Sequence, residues 1–259
     1  MKKIVPNKTF LAVFAFGVAS SMTRVSHADV DYFGAYGDAK TQTSPQTMAV
    51  ELRVGRYLPN VDDEFGGGAT PFEDHFGRKQ RWMVGMELDW QLLQMEGIGS
   101  LGPGVGFGYT ALTSRDFHDA PGSSNREEAA EGSSLKILPL YAVAVLRIDA
   151  LAQRTPVPLA FYGKGGLSYA YWWATYSQGL DRVEGTKASD TSWGTTWALG
   201  VSLLLDALDR RAANNMDATN GINNSYVFLE WYNSDLSGFG SNKMQVGDST
   251  WMAGLAFEL

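Results

Sequence analysis

Few residues in this 259-residue chain have the chemistry for catalysis. After the N-terminal segment only two histidines remain, His75 and His118. Glu73 and Asp74 flank the first, and Ser114 and Asp116 lie near the second, so each has a candidate partner for proton transfer. Such neighbours in polar segments are usually solvated, and geometry rather than proximity in sequence defines a catalytic site. Glu87 and Asp89 resemble a paired-carboxylate site, but they sit two apart, the spacing of one face of a strand. Asp62, Asp63, Glu64, Glu73 and Asp74 make one segment acidic. They lack the glycine spacing of a calcium loop, which predicts a solvated acidic loop, and no metal ligand set is expected. Gly66-Gly67-Gly68 follows no strand-to-helix pattern and is no phosphate cradle. With no cysteine there is no disulfide, thiolate site or lipid-anchor cysteine. The net charge of −7 gives no electrostatic footprint for nucleic acid. No cofactor and no enzymatic activity are expected.

The elements that must position these residues read as strands. Arg81 to Gln91 alternates strictly: Trp82, Val84, Met86, Leu88 and Trp90 share one face, and Met83, Gly85, Glu87, Asp89 and Gln91 share the other. Leu101 to Ala111 places Leu101, Pro103, Val105, Phe107, Tyr109 and Ala111 opposite Gly102, Gly104, Gly106, Gly108 and Thr110. Similar runs cover Thr47 to Leu58, Leu135 to Asp149, Val157 to Trp173, Thr191 to Leu205, Ser225 to Asp235 and Trp251 to Leu259. The run from Leu135 is apolar on both faces, so its register stays open, as does that of the run from Ser225.

The strands number eight, with long polar connections near Asn60–Arg78, Ser114–Ser134, Tyr176–Asp190 and Leu236–Asp248. Those near Met95–Gly99 and Ala152–Pro156 are short. Long loops alternating with short turns predict an all-β, eight-stranded antiparallel up-and-down transmembrane β-barrel. A face made almost wholly of glycine is a poor solvent face, but it suits a narrow interior that must admit larger neighbours. The polar face would then be the lumen, with a charge network of Glu51, Arg53, Glu87, Asp89, Lys164, Glu230 and Glu258. The apolar face would meet lipid. Trp82 and Trp90 are then about 20 Å apart in height, near the spacing of two aromatic girdles. Tracing the strands puts Trp82, Phe107, Tyr109, Tyr171, Trp173, Trp193 and Trp251 toward the loop end and Trp90 and Phe257 toward the turn end.

The N-terminus carries secretory features. Lys2, Lys3 and Lys8 precede the apolar run Phe10 to Ala19, and Ser26-His27-Ala28 offers a small-x-small cleavage site. The expected organisation is a signal peptide at 1–28, a periplasmic lead at 29–46 and a barrel at 47–259.

On these features the chain resembles the small eight-stranded bacterial outer-membrane barrels of the OmpX, OmpW and OmpA-barrel type. Its last residues resemble the assembly signal of such proteins at Gly254, Phe257 and Leu259. Met252 departs at a position that is usually polar, and Leu259 stands where phenylalanine is commoner. The resemblance implies lipid, lipopolysaccharide and the outer-membrane assembly machinery as partners, with no nucleic acid. Nothing in the sequence sets an oligomeric state. The function expected is a structural or surface-interaction role, with the lumen closed by charged side chains. A narrow pore is the first alternative, and an outer-membrane lipid-modifying enzyme, an activity found among such barrels, is the second. A soluble lipocalin-like carrier would need a polar outer face.

Overall fold

The structure is a computed structural model that describes residues 47–259, apart from 66–67, 118–127, 177–178, 181, 184–185, 209–212, 214, 217–218 and 241–242. The expected signal peptide and periplasmic lead lie outside the described residues.

Eight long strands among these residues form one closed antiparallel sheet: β1 (Met48–Tyr57), β2 (Arg81–Trp90), β3 (Gly99–Phe117), β4 (Glu128–Ile148), β5 (Leu159–Tyr176), β6 (Ser189–Leu204), β7 (Asn224–Asp235) and β8 (Asp248–Glu258). Each pairs with its neighbours in sequence, and β8 pairs with β1 to close the ring. Closure satisfies every strand edge internally, which a spanning β-structure in lipid requires. All eight runs read from the sequence are present. The main departure is length: β3 and β4 run on to Phe117 and back from Glu128, so much of the expected polar loop near Ser114–Ser134 is a paired extension of the wall. Its serines pair as well as apolar residues do, and polarity alone conceals that.

The two open registers resolve by what fits inside. On β4, Ile137, Tyr141, Val143, Val145 and Arg147 point inward, while Leu140, Leu146 and Ile148 face out. On β7, Tyr226, Phe228, Glu230, Tyr232 and Ser234 point inward, while Val227, Leu229 and Trp231 face out.

The first long connection is folded rather than loose. It holds a 3-10 turn (Val61–Phe65) and a short helix α1 (Pro71–Phe76). Asp62 joins them, accepting hydrogen bonds from the backbone N–H groups of Phe72 (2.8 Å) and Glu73 (2.9 Å). These donors have no partner within the helix, so a carboxylate there fixes where α1 begins. The expectation of a merely solvated acidic loop is corrected at this residue. Phe72 is buried and stacks on Phe76, with ring centroids 5.1 Å apart.

Candidate functional site: the charged lumen

The lumen is filled in two layers. The layer toward the short turns is ionic. Arg53 on β1 reaches Glu51 (2.7 Å), Glu87 (2.6 Å) and Glu230 (3.0 Å). Register explains why so many cations gather here. Glu51 and Glu87 are direct partners across β1 and β2, and like charges so placed repel. Lys164 crosses the lumen from β5 and donates to both at 2.6 Å, joining the pair instead of letting it splay. Glu258 binds Arg147 in a close ion pair and also accepts from Gln91 (2.8 Å), Asn224 (2.9 Å) and Tyr226 (3.0 Å). Tyr162 donates to Glu230 at 3.0 Å. All seven expected charges are buried here. Arg147 is an eighth member that the sequence reading left out, because the apolar neighbours of β4 hid its facing.

Glycine makes this density possible. Arg53 has Gly85 and Gly254 as cross-strand partners, Glu87 has Gly106, Asp89 has Gly104 and Glu230 has Gly200. A Cβ added at Gly106 would fall inside contact distance of the Tyr141 ring, and one at Gly104 would strike the Asp89 carboxylate. The glycine face of β3 is therefore the volume into which facing side chains extend. Gly106→Val is expected to cost about 1–3 kcal/mol by overpacking, with part of the loss recovered by adding Tyr141→Ala. Urea unfolding in lipid vesicles checks this, and an unshifted midpoint for the single variant would refute it.

The second layer, toward the loops, is apolar. Tyr57, Met83, Leu112, Leu135, Ile137, Ala170, Tyr232 and Met252 line the wall and pack with Val61 and Phe72 of the first loop and Leu236 and Val246 of the last. Hydrogen bonds hold these loops in the mouth: Asn60 N–H to the Gly247 carbonyl (2.9 Å) and Leu58 N–H to the Asp248 carboxylate (2.9 Å). The Tyr57 hydroxyl donates to the Val246 carbonyl, and the Gln245 N–H donates to Glu64. Sequence reasoning missed this plug, since scattered apolar residues in polar loops carry no period.

The outer face has the opposite character. Leu199 (62% exposed), Leu167 (61%) and Val84 (54%) stand open midway along their strands. A water-soluble barrel would bury such residues and turn its charges outward, and this one does the reverse. The chain is an eight-stranded transmembrane β-barrel.

Aromatic pairs flank the apolar band. Toward the loops, Trp231 meets Trp251 (5.2 Å), Tyr169 meets Trp193 (4.6 Å) and Tyr171 stacks on Trp173 (5.4 Å), with Tyr109 beside Trp173 (6.5 Å). Trp82 lies at the loop end of β2 and Trp90 at its turn end, and Phe257 lies near the turn end of β8. Phe107 is the correction. Register sets it opposite Met86, midway between Trp82 and Trp90, so it belongs to the lipid-facing band and not to a girdle. The sequence tracing misplaced it because β3 continues far past its expected end. At the terminus, Gly254 lies beside Arg53 and the Phe228 ring, Phe257 pairs with Val50, and the Leu259 carbonyl accepts from Thr47 N–H at 3.0 Å.

Of the possible catalytic groups, His75 on α1 lies 2.6 Å from the Ser133 hydroxyl. Ser133 is buried on the lumen side of β4. His118 lies outside the described residues, and Ser114 and Asp116 fall on β3.

No family model matches the chain, and no curated protein matches it. Among solved structures, it is similar to Ail, the attachment invasion locus protein of Yersinia pestis, determined with the heparin analogue sucrose octasulfate. That similarity has 11% identity and a TM-score of 0.41, covering 83% of this chain and 97% of that one. It is also similar to OprG from Pseudomonas aeruginosa, at 14% identity and a TM-score of 0.44, covering 84% and 97%. A third similarity is to the outer-membrane enzyme PagL, at 13% identity and a TM-score of 0.39, covering 82% and 99%. These are likenesses of barrel form and bear on no activity.

Proposed function

We propose that this protein is a closed structural and surface-interaction barrel, without intrinsic chemistry and without a conducting pore. The observation that carries this reading is the double closure of the lumen. An eight-stranded barrel has an interior only wide enough for side chains. Here that width holds an ion network below and an apolar plug above. A hydrated ion crossing the barrel would have to displace both. The test is conductance in planar bilayers. Wild-type protein is expected to give no unitary steps, and reproducible steps would overturn the reading.

The same reading assigns the loop-end rim to lipopolysaccharide. Arg56 faces outward with its guanidinium 3.9 Å from the Trp82 ring centroid, and Arg81 ties the start of β2 to the Thr113 carbonyl (3.2 Å). Arg78 and Lys79 precede it in sequence. Cations just above an aromatic girdle lie at headgroup height, where each adds attraction to anionic lipid. A variant carrying Arg56→Gln, Lys79→Gln and Arg81→Gln is expected to bind lipopolysaccharide at least tenfold more weakly, as measured by co-sedimentation, with unchanged heat-modifiable migration. Unchanged binding would remove the rim from the proposal.

The enzyme alternative gains little from His75 and Ser133. A hydroxyl turned into the plugged lumen faces away from the lipid that such an enzyme would act on. Their hydrogen bond serves better as a pin between α1 and the barrel wall. The lipid A profile of cells with and without the protein is expected to be identical. The assembly machinery is proposed to read the terminal Gly254, Phe257 and Leu259.

A further inference from the structure

Strand register draws one row of side chains across the outer wall near the loops. Arg56 pairs with Trp82, Ala111 with Lys136, and Lys136 with Trp173. The pairing of Met83 with Thr110, continued by one residue, sets Ala111 beside Trp82. The Thr110 hydroxyl donates to the Trp82 carbonyl at 3.1 Å and holds that edge. From Trp173 the row passes to Ser189 on β6. In the other direction, through Arg56, Trp251 and Trp231, it reaches Leu199, much nearer the turn end of the same strand. The row therefore climbs from β2 toward β5, by about 3 Å per strand for a spacing of about 4.8 Å and a tilt of about 40°. Trp82 stands in the loop-end girdle, so Ala111 lies about 3 Å and Lys136 about 6 Å above it, at headgroup height.

Ala111 is the gap in this row. Its methyl group stands between the Trp82 indole and the Lys136 side chain, both direct cross-strand neighbours at about 5 Å between Cβ atoms. Tyr109 lies two residues below it on the same face and is exposed. Above it the Arg81 guanidinium reaches the Thr113 carbonyl at 3.2 Å. The result is a shallow saddle with a small floor, aromatic flanks and two cations at its upper edge. Neither cation has a carboxylate. Among the described residues Lys136 and Arg81 form no ion pair, whereas Arg78 is bound to Glu73 at 2.6 Å and Lys243 to Asp190 at 2.8 Å. In a chain whose net charge is −7, this saddle is a positive place left without a counter-ion.

We propose that the saddle over Ala111 binds one phosphorylated sugar ring of an outer-leaflet glycolipid, with the phosphate between Lys136 and Arg81. The proposal rests on the assignment of the rim to lipopolysaccharide and names the part of that molecule the rim grips. A phosphate monoester offers several acceptor oxygens, and charge-assisted bonds to an ammonium and a guanidinium are the strong kind. The C–H face of a pyranose is apolar and packs against Trp82 and Tyr109, whose rings pair an apolar body with one polar tip. A small floor is what leaves room for the ring, and a longer side chain at position 111 fills it. Below the saddle the same face of β3 continues with Phe107 and Val105, both exposed. Acyl chains attached to the sugar run along that apolar wall, which favours a lipid-borne ligand over a free one.

The test measures radiolabelled lipid A retained by the chain, refolded in zwitterionic detergent and held on a resin. Wild type is expected to retain bisphosphorylated lipid A and to hold the dephosphorylated form about tenfold less well, the scale of one lost bond to a charged group. Lys136→Gln is expected to weaken retention by a similar factor. Ala111→Leu keeps every charge and is expected to weaken it as much, by filling the saddle. Both variants are expected to keep heat-modifiable migration, and Lys136→Gln decides alone if Ala111→Leu does not fold. Unchanged retention by Lys136→Gln, or by folded Ala111→Leu, overturns the proposal. The rim assignment survives that result if the triple variant at Arg56, Lys79 and Arg81 still loses binding, and it falls too if no variant does. Displacement by an equal concentration of phosphatidylglycerol would show general attraction to anionic lipid, and displacement by inorganic phosphate a site for the free ion. Either displacement overturns the proposal.

Discussion

Arg53→Ala is expected to destabilise the barrel by about 3–5 kcal/mol, the scale seen when one partner of a buried ion pair is removed. Arg53 holds three buried carboxylates at once, within 3.0 Å of an oxygen of each. Removing it leaves Lys164 to serve Glu51, Glu87 and the more distant Glu230, which it reaches only at 4.0 Å. Arg53→Lys is expected to fall between wild type and Arg53→Ala, because one ammonium on a shorter reach cannot reproduce a planar fork spanning three acids. Urea titration of tryptophan fluorescence in lipid vesicles measures both. If Arg53→Ala unfolds within 1 kcal/mol of wild type, on the order of an exposed ion pair, the network is not the structural element described above.

Leu199→Arg is expected to cost about 2–4 kcal/mol, the penalty for a cation on the lipid face near the bilayer midplane. Leu199 is 62% exposed and lies on β6 between the Trp193 end and the turn end. The control is Thr191→Arg on the same strand beyond Trp193, where the expected cost falls to about 0–1 kcal/mol at the interface. The gradient is the diagnostic feature. A barrel bathed in water would tolerate both arginines equally, so equal effects from the two variants in vesicle unfolding would reject the lipid-facing assignment of this surface.

The two variants probe opposite faces of one wall, and the physics is the same in each. A charge is tolerable where it is paired or wet and costly where it is neither. The lumen meets that condition by gathering Arg53, Arg147 and Lys164 around a ring of acids, with space supplied by Gly85, Gly104, Gly106, Gly200 and Gly254. The outer face meets it by carrying almost no charge between its aromatic girdles. The plug adds a third element. It closes the mouth with residues of the first and last loops, which lie far apart in sequence and are tied by Asn60 to Gly247 and by Leu58 to Asp248.

Local order along the chain was legible in the sequence because side chains on a strand alternate with period two. Trp82 through Trp90 and Gly102 through Gly108 could be assigned to opposite faces from spacing alone. That alternation, with the count of eight runs, determined the barrel, and with it the inward placement of Glu51, Arg53, Glu87, Asp89, Lys164 and Glu258. Where both faces of a strand are apolar, period gives no direction. Arg147 therefore joined the network only once β4 was docked between β3 and β5. Height along the barrel was equally invisible, because it depends on the register between strands. Phe107 could be assigned to the outer face but not to a level until Met86 was found opposite it. Tertiary structure alone decided which acid each cation serves, and that Phe72 and Val246 meet in the mouth of the barrel. The reason is physical: facing is a property of one strand, whereas pairing and plugging depend on distances between residues that only closure of the sheet brings together.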